Sequence, residues 1–242
     1  MSGAGQRERR VAFFGGSFDP PHLGHLAVAR AAQLGLALDT VLFAPVGTQP
    51  LKSGGATASF DDRLAMTRLA LAGEPGFEIS LADAPSAAGK PNYSIETLER
   101  LRAELGPACR LYFLMGADSF LSLRNWHRAG EIPFAAPLIV ASRPGQRLEG
   151  VRAALPAGLT IEAAPDRDRT AGNVDVRAYE VRNRSGAHAE FYLLPGLDCE
   201  ISATEIRTSI RKRDRTAQAG AEGERLVPDA VAGYVRAHGL YR

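Results

Sequence analysis

Apolar positions along this chain change period repeatedly, from runs that suit a buried strand to stripes that suit one face of a helix. Val11-Ala12-Phe13-Phe14 is short, apolar and β-prone, whereas Leu23, Ala27, Ala31 and Leu34 fall on one helical stripe that closes at Gly35. Thr40-Val41-Leu42-Phe43-Ala44 predicts a second strand, buried and therefore parallel to the first. Prolines and glycines from Pro45 to Gly55 predict a loop. Ser59 and Asp62 then form a capping pair for a helix through Arg63, Met66, Leu69 and Ala70. Phe77-Glu78-Ile79-Ser80 is a third, short strand. The turn-rich stretch from Gly89 to Tyr93 leads to a helix with Ser94 as its N-cap, Ile95, Leu98, Leu101 and Leu105 on the buried stripe, and Gly106-Pro107 as its stop.

Arg110 to Met115 predicts a strongly apolar strand ending in Gly116-Ala117-Asp118-Ser119, and Trp126 falls between two short helical pieces. Pro137 to Ala141 is the next strand, Ser142 to Gly145 its turn, Arg147 to Leu155 a helix, and Leu159 to Glu162 an edge strand. From about Ala163 to Ala189 the period is lost, and the stretch reads as a surface insertion. Its five arginines are interleaved with acids and lack an aromatic ladder, which argues against a nucleic-acid groove. Phe191 to Leu194 is expected to be the last strand. A helix starts in Ile201 to Arg207, and a C-terminal helix opens at Pro228-Asp229, buries Val231, Tyr234 and Val235 and closes at Gly239. Strands alternating with helices predict an α/β fold: a doubly wound, Rossmann-like open parallel sheet with helices on both faces. We expect one domain over 1–242, with a core of about 11–200 and a small helical part over about 201–242.

Composition narrows the function classes. At 242 residues, 45% hydrophobic and 23% charged, the chain has the make-up of a soluble protein large enough to bury a full core. A net charge of +2 is too small to argue for nucleic acid and agrees with small anionic substrates. Cys109 and Cys199, in neither C-x-x-C nor metal spacing, fit a reducing, cytoplasmic setting. The polar, basic start lacks the apolar core of a signal peptide, and no apolar run reaches membrane-spanning length, so no membrane partner is expected. Self-association into a homo-oligomer is compatible with the sequence.

The chemistry concentrates in Phe14-Gly15-Gly16-Ser17-Phe18-Asp19-Pro20-Pro21-His22-Leu23-Gly24-His25, a strand end, a tight glycine turn and a helix start. Gly15 and Gly16 let a phosphate approach backbone N–H groups, and the helix start adds donors and a positive dipole end. His22 and His25, three residues apart in the first helical turn, can aim both imidazoles at that anion. A bare H-x-x-H also suits a zinc pair lacking its other ligands, or two surface histidines. Lys52, in the loop past the second strand, is either a phosphate contact or a solvated cation. Asp118 suits a ribose hydroxyl or a helix cap, and Trp126 a core position or a platform for a heteroaromatic ring. Near the other end, Ser202 and Glu205 form a capping box, while Thr204 and Arg207 share the first-turn face and make a second anion cradle. Two such cradles can grip one triphosphate from both sides, and the whole reading requires the stretches near residues 16 and 203 to meet in space.

The first stretch resembles the GSFDPxHxGH signature, and Ile201 to Arg207 the ISxTxIR signature, of the HxGH nucleotidyltransferase superfamily, whose members attack the α-phosphate of a nucleoside triphosphate and release pyrophosphate. Within it, Asn92-Tyr93-Ser94-Ile95-Glu96-Thr97-Leu98 against SYTIDTL, Met115 to Ser119 followed by Trp126, Arg143-Pro144-Gly145 and the closing Val227-Pro228, Tyr234-Val235 and Gly239-Leu240-Tyr241 resemble the bacterial nicotinate-nucleotide adenylyltransferases. That resemblance implies ATP and nicotinate mononucleotide as substrates and deamido-NAD as product, with Mg²⁺ carried on the phosphates. It implies that Gly15, Gly16, Ser17, Phe18, Gly116, Asp118, Ser202, Thr204 and Arg207 bind ATP. Lys52, Tyr93, Ser94, Trp126 and His127 would take the mononucleotide, with His22, His25, Lys52 and Arg207 catalytic. Two departures stand out: Gln49-Pro50-Leu51-Lys52 keeps the lysine of a common PPHK but not its histidine, and Ser94 replaces a threonine. The alternatives are a sister adenylyltransferase acting on nicotinamide mononucleotide or phosphopantetheine, and a non-catalytic nucleotide sensor.

Overall fold

A computed structural model describes residues 7–48, 55–142, 148–197, 201–216 and 222–242. The element order is β1 (Arg9–Gly16), α1 (Leu23–Leu36), β2 (Thr40–Pro45), α2 (Phe60–Leu71), β3 (Phe77–Ile79), α3 (Ser94–Leu105), β4 (Cys109–Gly116), α4 (Ala117–Ser122), α5 (Ile132–Ala135), β5 (Leu138–Ala141), α6 (Leu148–Ala154), β6 (Leu159–Ala163), β7 (Arg169–Ala171), β8 (Val174–Asn183), β9 (His188–Leu194), α7 (Ala203–Thr216) and α8 (Asp229–Ala237).

The strands form one sheet in the order β3-β2-β1-β4-β5-β9-β8-β6, with β7 paired to β8. Neighbours from β3 to β9 are parallel, and β9, β8 and β6 pair antiparallel. Because β1 lies between β2 and β4, the winding reverses at β1, and the crevice beyond the carboxyl ends of β1 and β4 is where an open α/β sheet takes its ligands. Alternation along β1 explains its burial on both faces. Ala12 and Phe14 pack under α1, whereas Val11 and Phe13 pack with Ile95, Leu98 and Leu101 of α3 on the other side. A third cluster joins Met66 and Ala70 of α2 to Ile206 and Ile210 of α7 and Val231 and Val235 of α8, so the C-terminal helices dock on α2 rather than on the sheet.

Several expectations need revision. The stretch expected as a surface insertion over 163–189 is built into the sheet, with β7 and β8 lying wholly within it. In β8, Val174, Val176 and Ala178 join the core on the α1 face, while Val181 joins the core on the opposite face. Val174-Asp175-Val176-Arg177-Ala178 does alternate at the period of a strand, a five-residue signal that the sequence reading passed over, and the phase then shifts so that Val181 is buried on the other face. Gly35 does not end α1; the helix runs to Leu36 and is closed by Ala37 in the left-handed conformation. A Cβ at Gly35 would sit 2.8 Å from Val176 Cγ2 and 3.2 Å from Val174 Cγ1, so glycine there is required by the approach of β8. The buried face of α1 mixes the small residues Gly24, Ala29, Ala31, Ala32 and Gly35 with Leu26, Val28 and Leu36, and Leu23 and Leu34 face solvent. Ser94 is the first residue of α3, and Tyr93 holds the cap position without a side-chain cap bond.

Gly35→Val is expected to lower the free energy of unfolding by about 1–3 kcal/mol through overpacking against β8, read as a shifted urea midpoint.

Candidate active site

The site begins where β1 ends. Gly15 and Gly16 complete the strand, and the left-handed residue of the turn is Phe18, at φ 47°. The glycines therefore serve close packing: a Cβ at Gly15 would lie 3.1 Å from the Phe13 ring and one at Gly16 3.1 Å from the Phe18 ring. Phe18 is itself buried, its ring packed on Phe43 and edge-on to His25 at 4.9 Å, so it can offer a ligand only its backbone. The loop is then anchored by Asp19, which is 4% exposed. Its carboxylate accepts the N–H of Thr57 at 2.6 Å, the N–H of Ala58 at 3.1 Å and the hydroxyl of Tyr241 at 2.8 Å. Beneath it, buried Arg63 of α2 donates to the carbonyls of Ser17 at 2.7 Å and Val46 at 2.8 Å, tying the ends of β1 and β2 together.

Arg207, from the first turn of α7, reaches across to donate to the Asp19 carbonyl at 2.8 Å, and its other amino group donates to Thr204 Oγ1 at 3.2 Å. Ser202 caps the helix by accepting the Thr204 N–H at 3.2 Å. A Cβ at Gly24 would meet His22 Nδ1 at 3.0 Å and Ile201 Cβ at 3.5 Å, so the glycine between the two histidines leaves room for both the imidazole and the start of the second stretch. The stretches near residues 16 and 203 do meet.

They form one wall of a cleft of about 990 Å³ at the reversal of the sheet. The far wall carries Tyr93 and Ser94 at the start of α3, Gly116 and Asp118 past β4, and Trp126 with His127. Neither backbone strain nor packing demands glycine at 116: its φ is −77° and an added Cβ would meet nothing within 4 Å. Asp118 lies in the first turn of α4, exposed, with Gly116 at the cap position. Trp126 combines its two sequence readings. It is half-buried against Phe113, its Nε1–H donates to Ser122 Oγ at 3.0 Å, and it also lines the cleft. The His127 ring lies 4.4 Å from that of Tyr93. Every sequence-predicted site residue among the described ones thus lines the same cleft; Lys52 and its neighbours Gln49, Pro50 and Leu51 lie outside the described residues.

The family described as cytidylyltransferase-like matches residues 13–209. Relatives similar over nearly the whole chain include proteins named probable nicotinate-nucleotide adenylyltransferase from Solibacter usitatus, 37% identical over 232 residues with 96% of this chain and 99% of that one covered. Another, from Gloeobacter violaceus, is 36% identical with 96% of each covered. The chain belongs to the nicotinate-nucleotide adenylyltransferases, within the cytidylyltransferase-like family. Its fold is shared with the solved structure of Plasmodium falciparum nicotinic acid mononucleotide adenylyltransferase complexed with NaAD, at a TM-score of 0.65, 16% identity and coverage of 96% and 97%.

In this adenylyltransferase the two signature imidazoles are stacked, with centroids 3.6 Å apart. Burial pushes His22 down to about 4, and burial followed by the neighbouring His22 charge holds His25 well below the usual histidine value. Both rings are neutral at pH 7. His25 Nδ1 accepts the His22 N–H at 3.1 Å, which places the His25 proton on Nε2. His22 Nδ1 is buried without a partner, and a buried acceptor left unmade costs less than a donor, which favours the same tautomer. The pair is therefore two neutral N–H donors, not two cations. Among the described residues no group of three His, Cys, Asp or Glu is placed to hold a metal ion. No helix among them is long and apolar enough to cross a membrane.

Sequence reasoning did not single out Arg63, Tyr241 or Asp83 as parts of the site. Arg63 was read only as a helix position, Tyr241 only as part of a closing pattern, and Asp83 sits in a turn with no period to mark it.

The folded state refuses protons that the unfolded imidazoles bind below pH 6.5. The free protein should therefore lose stability as pH falls from about 6.5 toward about 4, and His22→Gln should flatten that slope in urea titrations at several pH values. Tyr241→Phe, which leaves the buried Asp19 carboxylate short of a donor, should cost about 1–3 kcal/mol by the same measurement.

Proposed function

We propose that this protein transfers the adenylyl group of ATP to nicotinate mononucleotide, forming deamido-NAD and pyrophosphate in NAD biosynthesis. The observation that carries the reading is the meeting of the β1 turn and the α7 start across one cleft whose other wall is aromatic. On the first wall, the Gly15-Gly16 backbone, Ser17 and the Phe18 backbone cradle the triphosphate with Ser202, Thr204 and Arg207. On the other, Gly116 and Asp118 receive the ribose of ATP. The open space over Gly116 supports close approach of a ligand there. Trp126 stacks on the pyridine ring, while the uncapped start of α3 at Tyr93-Ser94 and the backbone near His127 receive the nicotinate carboxylate.

The acceptor needs no general base. A phosphate monoester has its second pKa near 6, so at pH 7 it is largely a dianion and already a nucleophile. What remains is to bring two anions together and to hold the charge that shifts onto the leaving group. The reaction is then an in-line attack of the acceptor phosphate on the α-phosphorus: one P–O bond forms, the bond to the β-phosphate oxygen breaks, and pyrophosphate leaves without a covalent enzyme intermediate. His22 Nε2–H and Lys52 donate to the transferring group, and His25, Thr204 and Arg207 hold the departing pyrophosphate. Neutral imidazoles suit this work because they present fixed donors in a buried place without first having to gain a proton. Among the described residues no group of three His, Cys, Asp or Glu would cage a divalent cation, and Mg²⁺ would ride on the substrate phosphates, where it would offset charge.

The purified protein with ATP and nicotinate mononucleotide should release pyrophosphate and form deamido-NAD, followed by chromatography. An acceptor panel including nicotinamide mononucleotide and phosphopantetheine should show preference for the acid; no product with any acceptor would leave the sensor reading standing. His22→Ala should remain folded and lose turnover by a factor on the order of a hundred or more.

A further inference from the structure

The carboxyl group of Asp83 is 4% exposed and lines the active cleft at its floor, between the two walls. Oδ1 accepts the hydroxyl of Thr97 at 2.6 Å, Oδ2 lies 3.5 Å from where a Cβ of Gly15 would stand, and the Asp83 carbonyl accepts the N–H of Gly47 at 2.7 Å. One residue thus touches the β1 turn, the loop after β2 that leads toward Lys52, and the first turns of α3. A carboxyl placed where two polyanions must converge is electrostatically unfavourable to both, so its charge cannot be what is wanted there. Its geometry can. Thr97 is buried, and its N–H returns to the Tyr93 carbonyl at 3.2 Å, so whatever fixes the Thr97 side chain also fixes the start of α3 relative to Gly15.

We propose that Asp83 is a positioning residue for the acceptor: through Thr97 it sets the start of α3 at a fixed distance from the glycine turn, and so sets where the mononucleotide phosphate stands relative to the α-phosphorus. This rests on the reading of the α3 start as the acceptor side. Burial raises the Asp83 carboxyl above its usual value, partly offset by the Thr97 bond and by nearby Arg100, which agrees with a group used for its hydrogen bond rather than its charge. Asparagine has the same shape and keeps an oxygen that can accept from Thr97; leucine has neither property.

The test uses the full chain and the variants Asp83→Asn, Asp83→Leu, Thr97→Val and Thr97→Ser. Two readouts are followed: steady-state kinetics with each substrate varied, and hydrogen–deuterium exchange of the amides of 93–97 against those of 22–26. Asp83→Asn and Thr97→Ser should stay within about threefold of the parent, while Asp83→Leu and Thr97→Val should lose about tenfold or more in kcat/KM for the acceptor with KM for ATP little changed. Exchange should speed up at 93–97 only. The proposal is overturned if Asp83→Leu keeps the parent's acceptor kinetics and exchange. It is equally overturned if Asp83→Asn is as impaired as Asp83→Leu while melting at the parent temperature, for then the charge itself is needed. If the parent protein makes no product with nicotinate mononucleotide, the functional reading fails on that control, and the exchange comparison still decides whether Asp83 fixes the start of α3.

Discussion

The structure depends on one buried carboxylate. Asp19 would be costly to remove from water alone, and it is stable only because two backbone N–H groups, the Tyr241 hydroxyl and the nearby Arg207 guanidinium meet it. Those partners come from the entry to α2, the last turn of the chain and the first turn of α7. Satisfying one side chain therefore closes the chain on itself: Tyr241 lies 222 residues from Asp19, and Arg207 188 residues from it. The same constraint explains why α7 and α8 pack on α2. Arg63 of α2 holds the ends of β1 and β2, and both α7, which carries Arg207, and the segment after α8, which carries Tyr241, must come to the same side.

Because that anchor is set by the fold, the imidazoles can be placed without charge. Gly24 leaves space for the His22 ring, Phe18 walls one side of His25, and the His22 N–H fixes the His25 tautomer before any ligand arrives. In a buried site the reorganisation needed to protonate a histidine would come at the moment of reaction, whereas a preset N–H does not move. The permanent cation described on this wall is Arg207, and it too is oriented in advance, by the Asp19 carbonyl and Thr204.

Much of this was legible from residue order. The strand, glycine, Asp-Pro and H-x-G-H run at 14–25 and the start of α7 each carried a local chemical reason for an anion, and the alternation of strands and helices gave the parallel sheet. What stayed hidden has physical causes. β8 keeps a strand period only over Val174 to Ala178 before its burial shifts to the opposite face at Val181, so its signal is short and lies among charged residues that suggest a loop. Gly35 looks like a helix end because its real reason, Val176, whose Cγ2 would stand 2.8 Å from any added Cβ, lies far along the chain. Ser94 looks like a cap because its residue type suits one, but the cap position falls on Tyr93, which makes no side-chain cap bond. How far the two histidines resist protonation cannot be read from sequence, since it follows from their burial and from how close the two rings lie.

The two walls of the cleft are held by different means, and this bears on how such a site can vary. The wall at the β1 turn rests on buried side chains, Asp19 bonded to backbone at the entry to α2 and to the Tyr241 hydroxyl, and Arg63 bonded to backbone just past β1 and β2, so a change there disturbs the fold. The wall at the start of α3 is tied by a loop ladder: Asn92 exchanges bonds with Thr48 at 2.9 and 3.1 Å and donates to the Ala84 carbonyl at 3.1 Å, while Gly47 lies so close to Pro85 that a Cβ would sit 2.5 Å from its nitrogen. These contacts fix loops to one another without entering the sheet. A substitution in 84–94 therefore bears on the Tyr93-Ser94 wall and leaves the anchors of the β1 turn in place. The departure at Ser94 falls on that wall, and the glycine turn and both histidines on the other.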